Sequence, residues 1–497
     1  MIELNNVSFQ YAGNTQECLR NIDLHIQGGE CVLLCGGSGC GKTTILRLIN
    51  GLIPDYFDGE LSGNVLYNGS DISDMEMYER SRFVGSVFQN PRTQFFNVDT
   101  DSEIAFGMEN LAMDPGIMKN RMDDTTRRLR LAPLRGRSIF ELSGGEKQRI
   151  AFASVYAMNP DVFLLDEPSS NLDLESIDEL RLQIRTIKEQ RKTILISEHR
   201  IYYLMDLVDR IVFIEDGCIR EILTPGELTE EKRLALGLRC TTKKSVQIPA
   251  PRRQPKTARP DMASSDTASL DATNHDTTSH DTANSATAKF TLRIENLSLM
   301  RGKRTLQSGL TMKAHTGDII GIIGPNGSGK TTLLRTLCGL HKEYSGRISL
   351  NGKELKKKEL NKLSYLVMQD VNYELFADSV ANECRLGLPD VSEELVADTL
   401  TELGLYTYKD RHPATLSGGQ KQKVAVAVSM TCHKKLLMFD EPTSGLDYQS
   451  MLQVTELIQH VAKHAIVFIV SHDSEYLNLV CTKVYKLNKE NDNEEQQ

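Results

Sequence analysis

The chain has 497 residues, 40% hydrophobic and 25% charged, and 58 basic against 67 acidic side chains give a net charge of −9. That much apolar surface builds real cores and excludes a wholly disordered chain, while the acidic balance argues against nucleic-acid binding by bulk charge. No apolar run reaches the roughly 18 residues of a membrane-crossing helix, and the opening MIELNNVSFQ lacks the basic and apolar regions of a secretory signal. Ten cysteines occur without a CxxC pair. Several sit in apolar runs, as in ECVLLC, and they read as reduced, buried small residues of a cytosolic protein.

In chain order, the first element is an alternating strand, IELNNVSF. A short apolar strand, CVLLC, leads into a glycine-rich turn and a helical pattern. The turn has the form G-x-x-x-x-G-K-[ST]: Gly36, Gly37, Ser38, Gly39, Cys40, Gly41, Lys42 and Thr43, followed by Thr44. Backbone N–H groups must converge on phosphate oxygens there, which side chains would obstruct, and the following helix N-terminus adds positive dipole. Lys42 is expected to reach the β and γ phosphates, and Thr43 to ligate Mg²⁺. Further on comes LSGGE (Leu142 to Glu146), a helical pattern, and an apolar strand ending in two carboxylates, VFLLDEP, with Asp166 and Glu167. An Asp at a strand end can hold Mg²⁺, and the adjacent Glu can orient or deprotonate a water. Such an acidic pair is usually only a loop start; its position after the phosphate loop gives it a catalytic reading.

The composition then breaks. Residues 241–289 begin basic and proline-containing (PAPRRQPKTARP), carry no Lys or Arg from Pro260 to Ala288, and have Asp every five residues from Asp261 to Asp281. A period of five fits neither a helix face nor a strand face. We read the segment as a flexible linker of about 49 residues, spanning roughly 40 Å r.m.s. and holding its two sides at roughly millimolar effective concentration.

Beyond the linker the chain repeats itself: LRIENLSL, then IIGIIGPNGSGKTT with Gly324, Pro325, Asn326, Gly327, Ser328, Gly329, Lys330, Thr331 and Thr332, then LSGGQ (Leu416 to Gln420), then LLMFDEP with Asp440 and Glu441. In both halves 23 residues separate the LSGG serine from the strand-end Asp, and 33 and 32 separate that Asp from a later His, His199 or His472. Strands alternating with helices in each copy predict an α/β fold with a largely parallel sheet.

These motifs resemble ATP-binding-cassette ATPases, with two complete cassettes in one polypeptide. The resemblance implies two P-loop NTPase domains, residues 1–240 and 290–490, with a polar tail at 491–497. Each would have a largely parallel core sheet, an antiparallel β subdomain and a helical subdomain carrying the signature sequence. It implies ATP and Mg²⁺ as ligands and head-to-tail pairing of the cassettes. Site one would combine Lys42, Thr43, Gln89, Asp166, Glu167 and His199 with Ser417 and Gly419 of the other half; site two would combine Lys330, Thr331, Gln369, Asp440, Glu441 and His472 with Ser143 and Gly145. The signature segments Ser143, Gly144, Gly145, Glu146 and Ser417, Gly418, Gly419, Gln420 would offer a hydroxyl, N–H groups and a helix N-terminus to an anion. Gln89 and Gln369 match the Q-loop glutamine, and Asp173 and Asp447 the D-loop. Tyr11 matches the adenine-stacking aromatic, and Arg301 stands at the aligned position in the second half, so the Lys42 site is expected to bind ATP more tightly.

The block FQNPRTQFF, the segment SEIAFGMEN, and SEHR around His199 are similar to energy-coupling-factor importers. That resemblance implies an ATPase at the cytoplasmic face of the membrane. Its partners would be an integral membrane scaffold and a small membrane protein that binds a vitamin, its precursor or a metal ion, with no nucleic acid involved. A sugar-type twin-cassette importer and a ribosome-acting twin-cassette factor are the alternatives.

Overall fold

The computed structural model describes residues 1–13, 16–170, 172–247, 289–302, 304–369, 371, 374–388 and 391–488. Most of the segment read as a linker, and the polar tail, lie outside the described residues.

Each half folds as a cassette of two sheets. In the first, strand Ile2–Tyr11 lies between Leu19–Ile26 and Gly59–Tyr67 in an antiparallel sheet that ends at Ser70–Asp71. Its alternation buries Ile2, Leu4, Val7 and Phe9, as a sheet with one covered face requires. The second sheet runs Cys218–Leu223, Arg210–Glu215, Cys31–Gly36, Thr193–Ser197, Val162–Asp166, Val84–Val87. All its pairings are parallel except the edge pair Arg210–Glu215 with Cys218–Leu223. Cys31–Gly36 and Thr193–Ser197 are wholly buried, and Val162–Asp166 is buried up to its final Asp. Helices and the antiparallel sheet cover the two faces, which is why these strands read as unbroken apolar runs. Alternate side chains serve different cores: Val32, Leu34 and Leu164 face the antiparallel sheet, while Leu33, Cys35 and Leu165 face the helical side.

The second cassette repeats this plan. Thr291–Arg301 lies between Arg304–His315 and Tyr344–Leu350. Its core sheet, in the order Ser364–Val367, Leu436–Asp440, Ile466–Val470, Ile319–Ile323, Lys483–Lys486, is entirely parallel. Two helices per cassette position the site. Lys42–Ile49 and Lys330–Leu337 follow the glycine-rich loops, and Gly144–Met158 and Gly418–Thr431 start at the LSGG segments. Among the described residues no helix is long and apolar enough to cross a membrane. All ten cysteines are free and none is exposed, matching their reading as packed thiols; burial pushes the Cys35 thiol up to about 12.

The cassettes touch through the end of the first one. Helix Glu230–Ala235 and the chain that follows it reach the second cassette, where Val246 packs on its helical-side core and the Gln247 N–H donates to Asn478 Oδ1 at 2.8 Å.

Candidate functional site

The glycine-rich loops connect an interior strand of each core sheet, Cys31–Gly36 or Ile319–Ile323, to its helix. The turn is steep: Gly36, Gly39 and Gly41 have φ of 147°, 81° and 107°, and Gly324, Gly327 and Gly329 have 153°, 80° and 90°. A Cβ on Gly36 would stand 2.1 Å from the Ile214 carbonyl oxygen, and one on Gly324 would stand 2.4 Å from that of Leu487. Only glycine allows this approach. The lysine ammonium groups point back into the loops. Lys42 Nζ donates to the carbonyls of Gly36 (3.1 Å) and Gly37 (2.8 Å), and Lys330 Nζ to those of Gly324 (2.8 Å) and Pro325 (3.0 Å). Thr44 and Thr332, Ser38 and Asn326, and Cys40 and Ser328 are the paired positions that complete the two loops.

The next residue of each loop meets the strand-end carboxylate. Thr43 Oγ1 donates to Asp166 Oδ1 at 3.0 Å and Thr331 Oγ1 to Asp440 Oδ2 at 2.7 Å. A hydroxyl and a carboxylate oxygen converging at a phosphate cradle form a hard oxygen donor set that suits Mg²⁺. Burial raises both Asp pKa values, and at Asp166 the neighbouring Glu167 charge adds to it.

Glu167 and Glu441 follow with positive φ, 43° and 53°, which turns each side chain away from its strand. Glu167 Oε1 lies 3.3 Å from His199 Nε2, and its Oε2 accepts from Gln89 Nε2 at 2.7 Å. Glu441 Oε1 lies 3.7 Å from His472 Nε2, and its Oε2 accepts from Ser471 Oγ at 3.0 Å. The two glutamates differ electrostatically. Burial works to raise Glu167, but the His199 imidazole and Lys42 hold it below the usual carboxylate range. Burial pushes Glu441 up to about 7, and burial, with Lys330, pushes His472 down to about 4. Gln369 is exposed, and among the described residues no hydrogen bond joins it to Glu441, so the Gln89 arrangement is not duplicated.

The cassettes complete each other's surroundings. Asp447, at the N-cap of helix Tyr448–Ala462, accepts from its own Ser450 N–H (2.7 Å) and from the Ser38 N–H of the opposite loop (2.7 Å). These N–H groups hold its carboxylate at about 2 against the pull of burial. A Cβ on Gly445 would lie 3.5 Å from Gln89 Nε2 and 3.6 Å from Glu167 Oε2, so this loop of cassette two covers site one. Ser444 Oγ donates to the Ser170 carbonyl across the same junction. Reciprocally, the Asp173 charge acts on Lys330 and His472.

The signature serines are placed as helix N-caps. Ser143 and Glu146 form a reciprocal capping box, as do Ser417 and Gln420. Each hydroxyl accepts an N–H and keeps its proton to donate. Gly144, Gly145, Gly418 and Gly419 form the first turns. Among the described residues the hydrogen bonds between cassettes run through the D-loop and the 239–247 segment, not through these serines. Tyr11 Oη lies 3.1 Å from Thr44 Oγ1 and accepts from Arg47 Nη1 at 3.0 Å, which sets the ring beside the first loop's helix. Arg301 ends its strand opposite Arg304, exposed at a hairpin. Sequence reasoning missed Arg200, Arg239, Asp473 and Glu475, all buried around the switch loops. The signal was present in the unequal motifs SEHR and SHD.

Fold and site together define a P-loop ATPase with two cassettes in one chain. The ABC transporter family model matches residues 19–170 and 307–444, and the chain belongs to that family, as an ATP-binding protein that hydrolyses ATP. A putative ABC transporter ATP-binding protein of Treponema denticola is 47% identical over 488 residues, covering 97% of this chain and 94% of that one. The putative HMP/thiamine import ATP-binding protein YkoD of Bacillus subtilis is 29% identical, over 98% of this chain and 90% of that one. The archaeal ribosome recycling factor aABCE1, solved with the stalk protein aP1, shares the fold at 20% identity, with a TM-score of 0.61 over 97% of this chain and 87% of that one.

Proposed function

We propose that the chain is the ATP-hydrolysing subunit of a membrane importer of the energy-coupling-factor type, taking up a vitamin, vitamin precursor or metal ion. It would sit at the cytoplasmic face on an integral scaffold subunit paired with a small solute-binding membrane subunit. The observation that carries this reading is a repeated apolar projection. After each Q-loop a phenylalanine stands out, Phe96 74% and Phe376 72% exposed. Both are fixed at the backbone in the same way. Glu103 Oε2 accepts from the N–H groups of Phe96 and Asn97, and Glu383 Oε2 from those of Phe376 and Ala377. Fixed, exposed aromatics suit partner docking, and YkoD supports an import role by its name.

In this reading Lys42 and Lys330 bind the β and γ phosphates, and Tyr11 stacks on adenine. Thr43, Gln89 and Asp166, and Thr331, Gln369 and Asp440, would hold Mg²⁺, which supplies charge neutralisation on the phosphates. Glu167 and Glu441 take the proton of a water whose oxygen bonds to the γ-phosphorus as the bond to the bridging oxygen breaks. His199 and His472 orient that group beside its Glu. Ser143 and Ser417 donate to the nucleotide held by the opposite cassette, so binding draws the halves together and cleavage releases them.

The test is co-expression with the membrane proteins encoded by neighbouring genes. The reading expects a membrane complex with ATP-dependent solute uptake that Lys42→Ala together with Lys330→Ala abolishes. Co-sedimentation with ribosomes and no membrane complex would overturn it.

A further inference from the structure

The residue after the switch histidine differs between the halves: Arg200 in the first and Asp473 in the second. The structure gives this difference a purpose. Arg200 Nη1 donates to the Leu172 carbonyl at 3.4 Å, within its own cassette. Leu172 directly precedes the D-loop Asp173, so an arginine ties the switch loop to the D-loop in cis. In cassette two the same carbonyl is that of Leu446, preceding Asp447, and it accepts from an arginine as well: Arg239 Nη1, at 3.2 Å. Arg239 belongs to cassette one.

Arg239 is only 3% exposed. Its guanidinium pairs with Asp473, donates from Nε to Glu475 Oε2 at 2.9 Å, and so uses the whole donor fork. The adjacent Cys240 N–H also donates to Glu475, at 3.2 Å. Burial works to raise the Asp473 carboxyl, but the Arg239 and Arg200 charges hold it below the usual carboxylate range. Arg239 thus touches the neighbour of Asp447, which reaches the Ser38 N–H of site one, and the neighbour of His472, which faces Glu441 of site two.

We infer that Arg239 is the trans counterpart of Arg200: a positioning residue, lent by the first cassette, that sets the switch loop of the second and makes turnover at site two depend on the docked 239–247 segment. The inference rests on the reading of Glu167 and Glu441 as the hydrolytic residues of the two sites. It also explains why the two halves are unlike at this point. Two copies of SEHR would face each other with like charges, and two copies of SHD would lack the cis arginine.

The experiment uses the full chain with one site silenced, measuring first-turnover ATP hydrolysis at saturating and subsaturating MgATP. Glu167→Gln leaves only site two to report, and Glu441→Gln only site one. Arg239→Lys keeps a buried positive charge but not the fork, so the carboxylates are not stranded. In the Glu167→Gln chain it is expected to slow the first turnover about tenfold or more, with the KM for MgATP unchanged, because small misplacements of catalytic groups are costly. In the Glu441→Gln chain the change is expected to stay below about threefold. Asp473→Asn, which weakens the bridge from its other end, must share the site-two selectivity of Arg239→Lys. Equal slowing of both sites, or slowing of neither, by folded Arg239→Lys or Asp473→Asn protein overturns the inference. No first turnover in the Glu167→Gln chain with Arg239 intact would instead overturn the catalytic reading of site two.

Discussion

Gln94 and Glu374 occupy the same place in the two Q-loops, and the structure shows what the one-atom difference costs. Gln94 Oε1 accepts from the Phe88 N–H and its Nε2 donates to the Ser86 carbonyl, both at 3.3 Å. Glu374 Oε1 accepts from the Met368 N–H in the same way, but its Oε2 is buried without a partner. Burial accordingly pushes this carboxyl up to about 7. The sign follows from linkage. Between the usual 4.5 and about 7 the folded chain keeps a proton that the unfolded chain has lost, so this group's contribution to stability falls as pH rises through that window. Glu374→Gln is therefore expected to stabilise cassette two by about 1–3 kcal/mol at pH 8 and to change little at pH 5, read as melting temperatures across pH. Equal effects at both pH values would contradict the assignment. At this scale the phosphate loops, carboxylates and histidines were legible in the sequence, because each motif forces its own backbone. The unlike states of Glu167 and Glu441 were not, because they arise from neighbours remote in the chain.

Elements explain how these residues are delivered. The strands Cys31–Gly36 and Ile319–Ile323 were readable as apolar runs, and the antiparallel strands by their alternation. The docking of the first cassette's last segment was not readable. Residues 239–247 carry no periodic apolar pattern, and they dock through the buried Arg239 guanidinium, the Cys240 and Gln247 N–H groups and the Val246 side chain. The post-Q-loop projections belong to this scale as well. Glu103 and Glu383 are buried at 2% and 3% exposure and hold the backbone beneath each exposed ring. Phe96→Ser and Phe376→Ser together are expected to leave the ATPase rate of the isolated chain within about twofold. They should weaken the membrane complex by about 2 kcal/mol per ring, measured as lost co-purification with the scaffold subunit. Undiminished co-purification would remove these rings from the docking surface.

At the scale of the whole molecule the two cassettes are alike in plan and unlike where they meet. Asp447 reaches the first phosphate loop, Gly445 covers Gln89 and Glu167, and Arg239 fills the position beside the second switch histidine. The duplication was legible from matched motif spacings, and the head-to-tail pairing was an expectation that came with the family resemblance. The asymmetric junction was not, since the repeat itself argues for equivalence. The central claim is that both sites bind and hydrolyse ATP, each through its own glutamate. The most direct measurement is nucleotide retained per chain by Glu167→Gln/Glu441→Gln protein with MgATP, alongside its steady-state phosphate release. The account predicts two ATP held per chain with turnover nearly abolished; wild-type turnover, or no retained nucleotide at either loop, would contradict it.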